Sequence, residues 1–192
     1  MGDSGMFLGF DLDGVIIDHT LVKIELAKKF GLTVNKRQTH ADNLYRLLGP
    51  TKYNEFKHYL YDDPQIAVAG VIMPGSNFVL RSLKKRKIPF VVISRRKGNH
   101  DIPVNLLRKC GLWPDVFNWQ NVFFVQDREG KNTKAVSLGI SHFMDDELRA
   151  LEQLVDVPMK YLFDPYKAIS DCCFRRIVSW RQFYYSIGGK NG

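Results

Sequence analysis

The stretch Met6-Phe7-Leu8-Gly9-Phe10-Asp11-Leu12-Asp13-Gly14-Val15-Ile16-Ile17-Asp18 constrains this chain more than any other part of it. Residues 6–10 are an apolar run of strand length that stops at two carboxylates one residue apart, followed by a glycine. A short apolar run closed by a turn signal reads as a buried strand. Asp11 and Asp13 fall where that strand ends, and in an open parallel sheet ligands bind beyond the carboxyl ends of the strands. Alternate residues of a strand face one side, so the two carboxylates are placed to converge on a cation. Without one they would resist joint ionisation. Gly14 supplies the backbone freedom for a sharp turn close to a ligand.

Composition bounds the setting. At 192 residues the chain is long for one domain and short for two. The net charge of +8 favours anionic partners but does not separate a small phosphate ester from nucleic acid. Basic clusters stand at residues 84–87, 95–97 and 175–176, each short enough to be a solvated helix end or loop. Cys110, Cys172 and Cys173 have no metal-ligand spacing, and an odd count argues against a disulfide framework. The first residues show no basic region leading into an apolar one, and Gly2 fails the myristoylation pattern because position 6 is Met. No apolar run approaches the ~18 residues of a membrane span. The expectation is a soluble, cytoplasmic protein.

After Asp18 the periodicity turns helical. Leu21, Ile24, Ala27 and Phe30 support a helix stopped at Gly31, residues 35–48 a second closed by Gly49-Pro50, and residues 51–61 a third. Strand–helix alternation resumes near Val71. A helix over 76–86 with Ser76 as cap is followed by an apolar strand ending at Ser94, and a helix from Asp101 by a strand over 121–125. A helix over 131–138 leads to a strand running into Asp145-Asp146, then a helix from Glu147 and a strand over 161–163. This pattern predicts an α/β fold, a doubly wound, Rossmann-like parallel sheet. The three helical patterns interrupt it directly after the first strand, the place where the resemblance given below implies a small α-helical cap. The core would comprise residues 6–18 and 71–192, and the cap residues 19–70.

Phe10-Asp11-Leu12-Asp13-Gly14-Val15 resembles the first motif of the haloacid dehalogenase superfamily, whose members are mostly magnesium-dependent phosphatases. The resemblance spans about residues 6–165 and rests on four short motifs at successive strand ends. It implies that Asp11 is the nucleophile that forms an aspartyl-phosphate, and that Asp13 protonates the leaving oxygen. It also implies that Ser94 binds a phosphoryl oxygen and that a lysine near the helix before the last acidic strand balances charge. Lys131 is preferred to Lys134 for that lysine because it stands at the expected helix start. Mg²⁺ would be held by Asp11, the backbone carbonyl of Asp13 and the pair Asp145 and Asp146, with Asp145 preferred as direct ligand and Asp146 behind it; the reverse order stays open. Hard cations of this kind take oxygen ligands.

The implied activity is phosphomonoester hydrolysis of a small anionic phosphorylated metabolite, such as a nucleotide or sugar phosphate. Alternatives on the same fold are a phosphomutase, a nucleic-acid-end phosphatase suggested only by the charge, and a non-catalytic binding module. Neither a Gly-x-x-x-x-Gly-Lys loop nor Gly-x-Gly-x-x-Gly occurs. The five histidines lack paired metal spacing, and His19 is the one whose position would let it face substrate. Arg95 and Arg96 follow Ser94 and suit bidentate phosphate contacts, although solvation is the simpler expectation. Trp180, Phe183, Tyr184 and Tyr185 have helical spacing suited to packing on the core.

Overall fold

The apolar runs become the strands of one parallel sheet. The computed structural model describes residues 5–98, 100–170 and 172–190, so the reading at Gly2 lies outside the described residues. In chain order these form β1 (Leu8–Phe10), β2 (Ile17–Asp18), α1 (Thr20–Lys29), a 3-10 turn (Lys36–Thr39), α2 (Ala41–Asp62), α3 (Pro64–Ala67) and β3 (Val71–Ile72). There follow α4 (Ser76–Lys85), β4 (Phe90–Ser94), α5 (Asp101–Lys109), β5 (Val122–Phe124), α6 (Arg128–Ser137) and β6 (His142–Asp145). The chain continues through α7 (Leu148–Gln153), β7 (Met159–Phe163), β8 (Arg175–Ile177) and α8 (Trp180–Ser186). No helix among the described residues is long and apolar enough to cross a membrane.

The main sheet has the order β5-β4-β1-β6-β7-β8, with every pairing parallel. Its strands are apolar almost throughout because both faces are covered. Along β4, Phe90 and Val92 pack into one core cluster while Val91 and Ile93 pack into the other. β1 lies in the middle, with Phe10 level with Val92 on one side and Met144 on the other. The chain leaves β1 toward β4 first and returns later to β6, so β1 borders the point where strand order reverses. Ligand sites form there in open α/β sheets.

The insertion between β2 and β3 is helical and has its own core, in which Leu26, Ala27, Val34, Leu44, Leu48, Phe56 and Leu60 are buried together. β2 and β3 pair antiparallel, Ile17 with Ile72 and Asp18 with Val71, so the entry to the insertion and its exit lie side by side. The expected second helix over 35–48 is replaced by two elements. Asn35 and Gln38 form a reciprocal capping box on the 3-10 turn, and α2 begins only at Ala41. α2 is broken at Gly49 (φ 72°, ψ 169°). The conformation there suits glycine, and Pro50 cannot donate to the helical ladder, so the two expected segments meet at an angle.

Other departures have equally local causes. α6 starts three residues before Lys131 because the Asp127 side chain accepts a hydrogen bond from Gly130 N at 2.7 Å and caps it. Ser76 does not cap α4; its hydroxyl donates to Met73 O at 2.8 Å, and Gly75 occupies the cap position. Arg175 and Arg176 stand in the edge strand β8 rather than in a solvated loop.

α8 closes the fold over the motif turn. Trp180 is fully buried against Phe10, Phe163 and Phe183, and its indole N–H donates to Val15 O at 2.8 Å. The distant C-terminal helix thereby pins the turn after Asp13. Trp180→Phe keeps an aromatic ring but leaves that carbonyl unpaired, so urea unfolding should show a loss of about 1–3 kcal/mol. A loss below about 0.5 kcal/mol would mean that the bond does not hold the turn.

Candidate active site

Three adjacent strands end at one edge of the sheet, and each ends on a predicted site residue. Asp11 follows β1, Ser94 closes β4 and Asp145 closes β6. Asp11 N donates to Met144 O at 2.9 Å, which continues the β1–β6 ladder one residue past the strand and fixes the carboxylate at its end. All three residues are buried. The Ser94 side chain makes no hydrogen bond among the described residues, which leaves its hydroxyl available to a ligand.

Of the two candidate lysines, Lys131 is the one that reaches the acids. One turn inside α6, its ammonium donates to Asp11 Oδ1 at 2.6 Å and Asp145 Oδ2 at 2.8 Å, with only 3% of the side chain exposed. Lys134 instead lies over the Phe123 ring. Burial pulls the Lys131 pKa down, but the two carboxylates outweigh it and hold the amine above the ordinary lysine value. Asp11 moves the other way. Burial, with Asp145 and Asp13 nearby, outweighs Lys131 and pushes its carboxyl up to about 7.

Asp13 is held differently, and here the expected solvation of Arg96 is corrected. Arg96 is not solvated: it is 6% exposed and grips Asp13 through Nε–H to Oδ2 at 2.8 Å and Nη2–H to Oδ1 at 2.6 Å. His19 does not face open solution; it is buried, and its Nε2–H donates to Asp13 Oδ1 at 2.8 Å. Its Nδ1 is buried without a partner, consistent with the neutral ring that burial favours. Burial alone would raise the Asp13 pKa, but Arg96 and His19 hold it well below the ordinary carboxylate range. Arg95 is also engaged, donating with Arg128 to Glu147 at 2.9 and 3.0 Å.

Asp146 forms no ion pair among the described residues, although Lys23 lies near enough to act on its charge. One oxygen from each of Asp11, Asp145 and Asp146 lies within 4.8 Å of the others, an all-oxygen set suited to a hard metal ion. Asp145 is satisfied by Lys131 and by Glu147 N, which donates to its Oδ1 at 2.9 Å. The Asp146 side chain has no hydrogen bond among the described residues, and burial, helped by Asp145 and Asp11, outweighs the pull of Lys23 and pushes its pKa well up. Its carboxylate lies directly over Gly14, where φ is +86° and an added Cβ would meet Oδ2 at 2.1 Å. Gly14 is therefore needed both for the turn and to admit Asp146.

The helical insertion closes the site from above. Lys23, Tyr53, Lys57 and Tyr61 reach the cavity that holds the four aspartates, Ser94 and Lys131. It holds about 80 Å³. His40, at the start of α2, accepts from Asp42 N through Nδ1 and donates from Nε2 to Asp146 O at 2.8 Å, tying the insertion to the end of β6. Arg96 adds a second tie, with Nη1 donating to Tyr61 O at 3.3 Å and the guanidinium 4.9 Å from the Tyr61 ring centre. His19, Lys23, His40, Lys57, Arg95, Arg96 and Glu147 are the site residues that motif reasoning did not assign.

No family model matches the sequence, and no curated protein matches it. Solved structures do. A haloacid dehalogenase family hydrolase from Deinococcus radiodurans, solved with phosphate and sodium, is similar at TM-score 0.66 and 14% identity over 96% of each chain. A predicted phosphatase from Clostridium acetobutylicum is similar at TM-score 0.65 and 13% identity, over 95% of this chain and 97% of that one. A protein from Bacillus subtilis named as a hydrolase of the same family and bound to magnesium reaches 0.62 at 15% identity, over 95% and 98%. The chain has the haloacid dehalogenase fold, as the motif at Asp11 implied.

Proposed function

We propose that the protein is a Mg²⁺-dependent phosphomonoester hydrolase of the haloacid dehalogenase superfamily that works through an aspartyl-phosphate on Asp11. The observation that supports this most is the convergence of Asp11, Ser94, Lys131 and Asp145 at the ends of three neighbouring strands, with Lys131 bridging the two acids. A carboxylate nucleophile divides hydrolysis into two easier steps. Lys131 orients Asp11 and offsets charge on the transferring phosphoryl group, and the Ser94 hydroxyl donates to one of its oxygens. Mg²⁺ supplies further neutralisation of that charge. Asp11, the Asp13 carbonyl and the Asp145–Asp146 pair would hold it, and the unpaired state of Asp146 favours Asp146 over Asp145 as the direct ligand of the pair.

Asp13 is the acid–base residue of this reading. Clamped by Arg96 and His19 it is ionised, the form that takes a proton from the hydrolytic water. To donate to a leaving alkoxide it must first loosen from Arg96. The tie from Arg96 to Tyr61 O connects that loosening to movement of the helical insertion, residues 19–70. A cavity of about 80 Å³ is far below the ~300–1,000 Å³ of ordinary small-molecule sites. Substrate entry thus requires the insertion to lift as a lid, with the β2–β3 pair as hinge.

A phosphate-release screen over nucleotides, sugar phosphates and phosphoamino acids tests the reading. Release should depend on Mg²⁺ and stop with chelator; release that chelator leaves untouched, or none from any ester, would overturn it. Metal binding is read separately by stability. At a hundred times its dissociation constant, Mg²⁺ should stabilise the protein by about 2.7 kcal/mol. Asp146→Asn should remove most of that gain. A full gain in Asp146→Asn would return the direct-ligand role to Asp145.

A further inference from the structure

A second cleft opens beside the catalytic cavity, between α2 and the segment after β4. It holds about 270 Å³ and shares Lys57, Tyr61, Arg95 and Arg96 with that cavity. The two spaces therefore adjoin along one wall. Beyond the shared residues the cleft adds Asn54, His58, Asp62, Lys97 and Gly98. Its charge is one-sided. Arg96 is neutralised by Asp13, and Arg95 shares the single Glu147 carboxylate with Arg128. Lys57 and Lys97 have no ion pair among the described residues, and the one carboxylate lining the cleft, Asp62, is bound to His58 at 3.0 Å. Lys57 is half-buried, its amine 5.0 Å from the Tyr53 ring centre. Burial first, then Arg95 among its neighbours, pulls its pKa down against the opposing charge of Glu147.

We propose that this cleft binds a second anionic group of the substrate, so that the preferred ester is a small molecule carrying two phosphates, or a phosphate and a carboxylate. One phosphoryl group would lie at Asp11, and the other anion would contact Lys57, Lys97 and the outer side of Arg95. This deepens the phosphatase reading and rests on it for the identity of the first group. Lys57 is unpaired and partly buried while Lys97 is unpaired and exposed, and an anion between them gains charge-assisted hydrogen bonds that water screens only in part on the Lys57 side. The occupant is small because the volume admits one oxyanion and a short connecting chain. A nucleobase would need an aromatic face, and the Tyr61 ring is already covered by Arg96 on one approach and met edge-on by His19. The excess of cations also gives a physical reason for lid closure, since an anion lying between Lys57 on α2 and Lys97 on the core draws the two together.

Calorimetric binding to the whole protein tests this without relying on turnover. The probes are α,ω-alkanediol bisphosphates of increasing length, with propyl phosphate as the single-anion reference, all with Mg²⁺. At one length the bisphosphate should bind about tenfold tighter or more, the scale of one added charge-assisted contact. In Lys57→Gln/Lys97→Gln that advantage should fall to near one. If no bisphosphate exceeds propyl phosphate, or if the advantage survives in the double variant, the second site is overturned. If the advantage appears and is lost as expected but no phosphate is ever released, the hydrolase reading fails while the second site stands. A 5′-phosphorylated oligonucleotide that outcompetes every bisphosphate through the same two lysines would overturn the small-molecule occupant.

Discussion

Asp11→Asn should fold, bind anions and turn nothing over. The substitution is isosteric at the end of the central strand, where Asp11 N continues the ladder to Met144 O regardless of the side chain. It removes the oxygen nucleophile, and losing a nucleophile that acts as part of a unit costs on the order of 10⁶ in kcat. The stability effect has the opposite sign. Asp11 and Asp145 share the Lys131 ammonium, Asp146 lies within 4.8 Å of both, and burial raises the Asp11 carboxyl from 3.8 to about 7. A carboxyl whose folded pKa lies above its unfolded value favours the folded state at low pH and loses that contribution as pH rises through the folded pKa. Asparagine carries no such loss. With chelator present, the variant should therefore match the parent near pH 4 and exceed it increasingly toward pH 7. Added Mg²⁺ should narrow or reverse the difference, because the parent alone has the third carboxylate. Retained turnover in folded Asp11→Asn would sink the nucleophile assignment. A variant less stable than the parent at neutral pH in chelator would sink the charge-crowding account.

The parts of this site legible in the sequence are those that local pattern encodes. Asp11, Ser94 and Asp145 each close an apolar run, and a parallel sheet buried on both faces writes such runs plainly. Lys131 was within reach through the resemblance, which implies a lysine near the start of the helix before the acidic strand. Its position one turn inside α6 was not, since the cap at Asp127 is a single side-chain hydrogen bond with no periodicity. β8 was missed because an Arg-Arg pair at an edge strand looks like any solvated basic cluster. The clamp on Asp13 was the largest omission. Arg96 stands 83 positions from Asp13, and nothing in Ser94-Arg95-Arg96 distinguishes a buried guanidinium from an exposed one. His19 adjoined the motif, yet its neutral, buried state depends on the insertion folding back over it through Tyr61 and Gly70. Charges that meet across the helical insertion and the core are properties of the tertiary structure and leave no local pattern in the sequence.

Arg96→Leu should be the most destabilising single change at the site, by about 3–5 kcal/mol near neutral pH. Leucine keeps apolar bulk in a position only 6% exposed, so the cost is mainly electrostatic. Removing the guanidinium takes both charge-assisted bonds from Asp13 and leaves a buried carboxylate with His19 as its one remaining hydrogen-bond donor. The pH dependence identifies the cause. In the parent, Asp13 is held below the ordinary carboxylate range, so its contribution is present above about pH 4 and is lost as pH falls through the folded pKa. In the variant, burial is no longer offset, the folded pKa rises, and the penalty disappears once Asp13 is protonated. The gap between parent and variant should thus be widest near neutrality and shrink as pH drops through about 4 to 5. Asp13→Asn placed on top of Arg96→Leu should recover part of the loss, since the stranded charge is gone. The same substitution cuts the tie to Tyr61 O, so hydrogen exchange in the last turns of α2 should quicken in Arg96→Leu and stay quick in the double variant. A loss that is independent of pH, or one that Asp13→Asn deepens, would show that Arg96 contributes packing alone and would remove the proposed link between the lid and the acid–base residue.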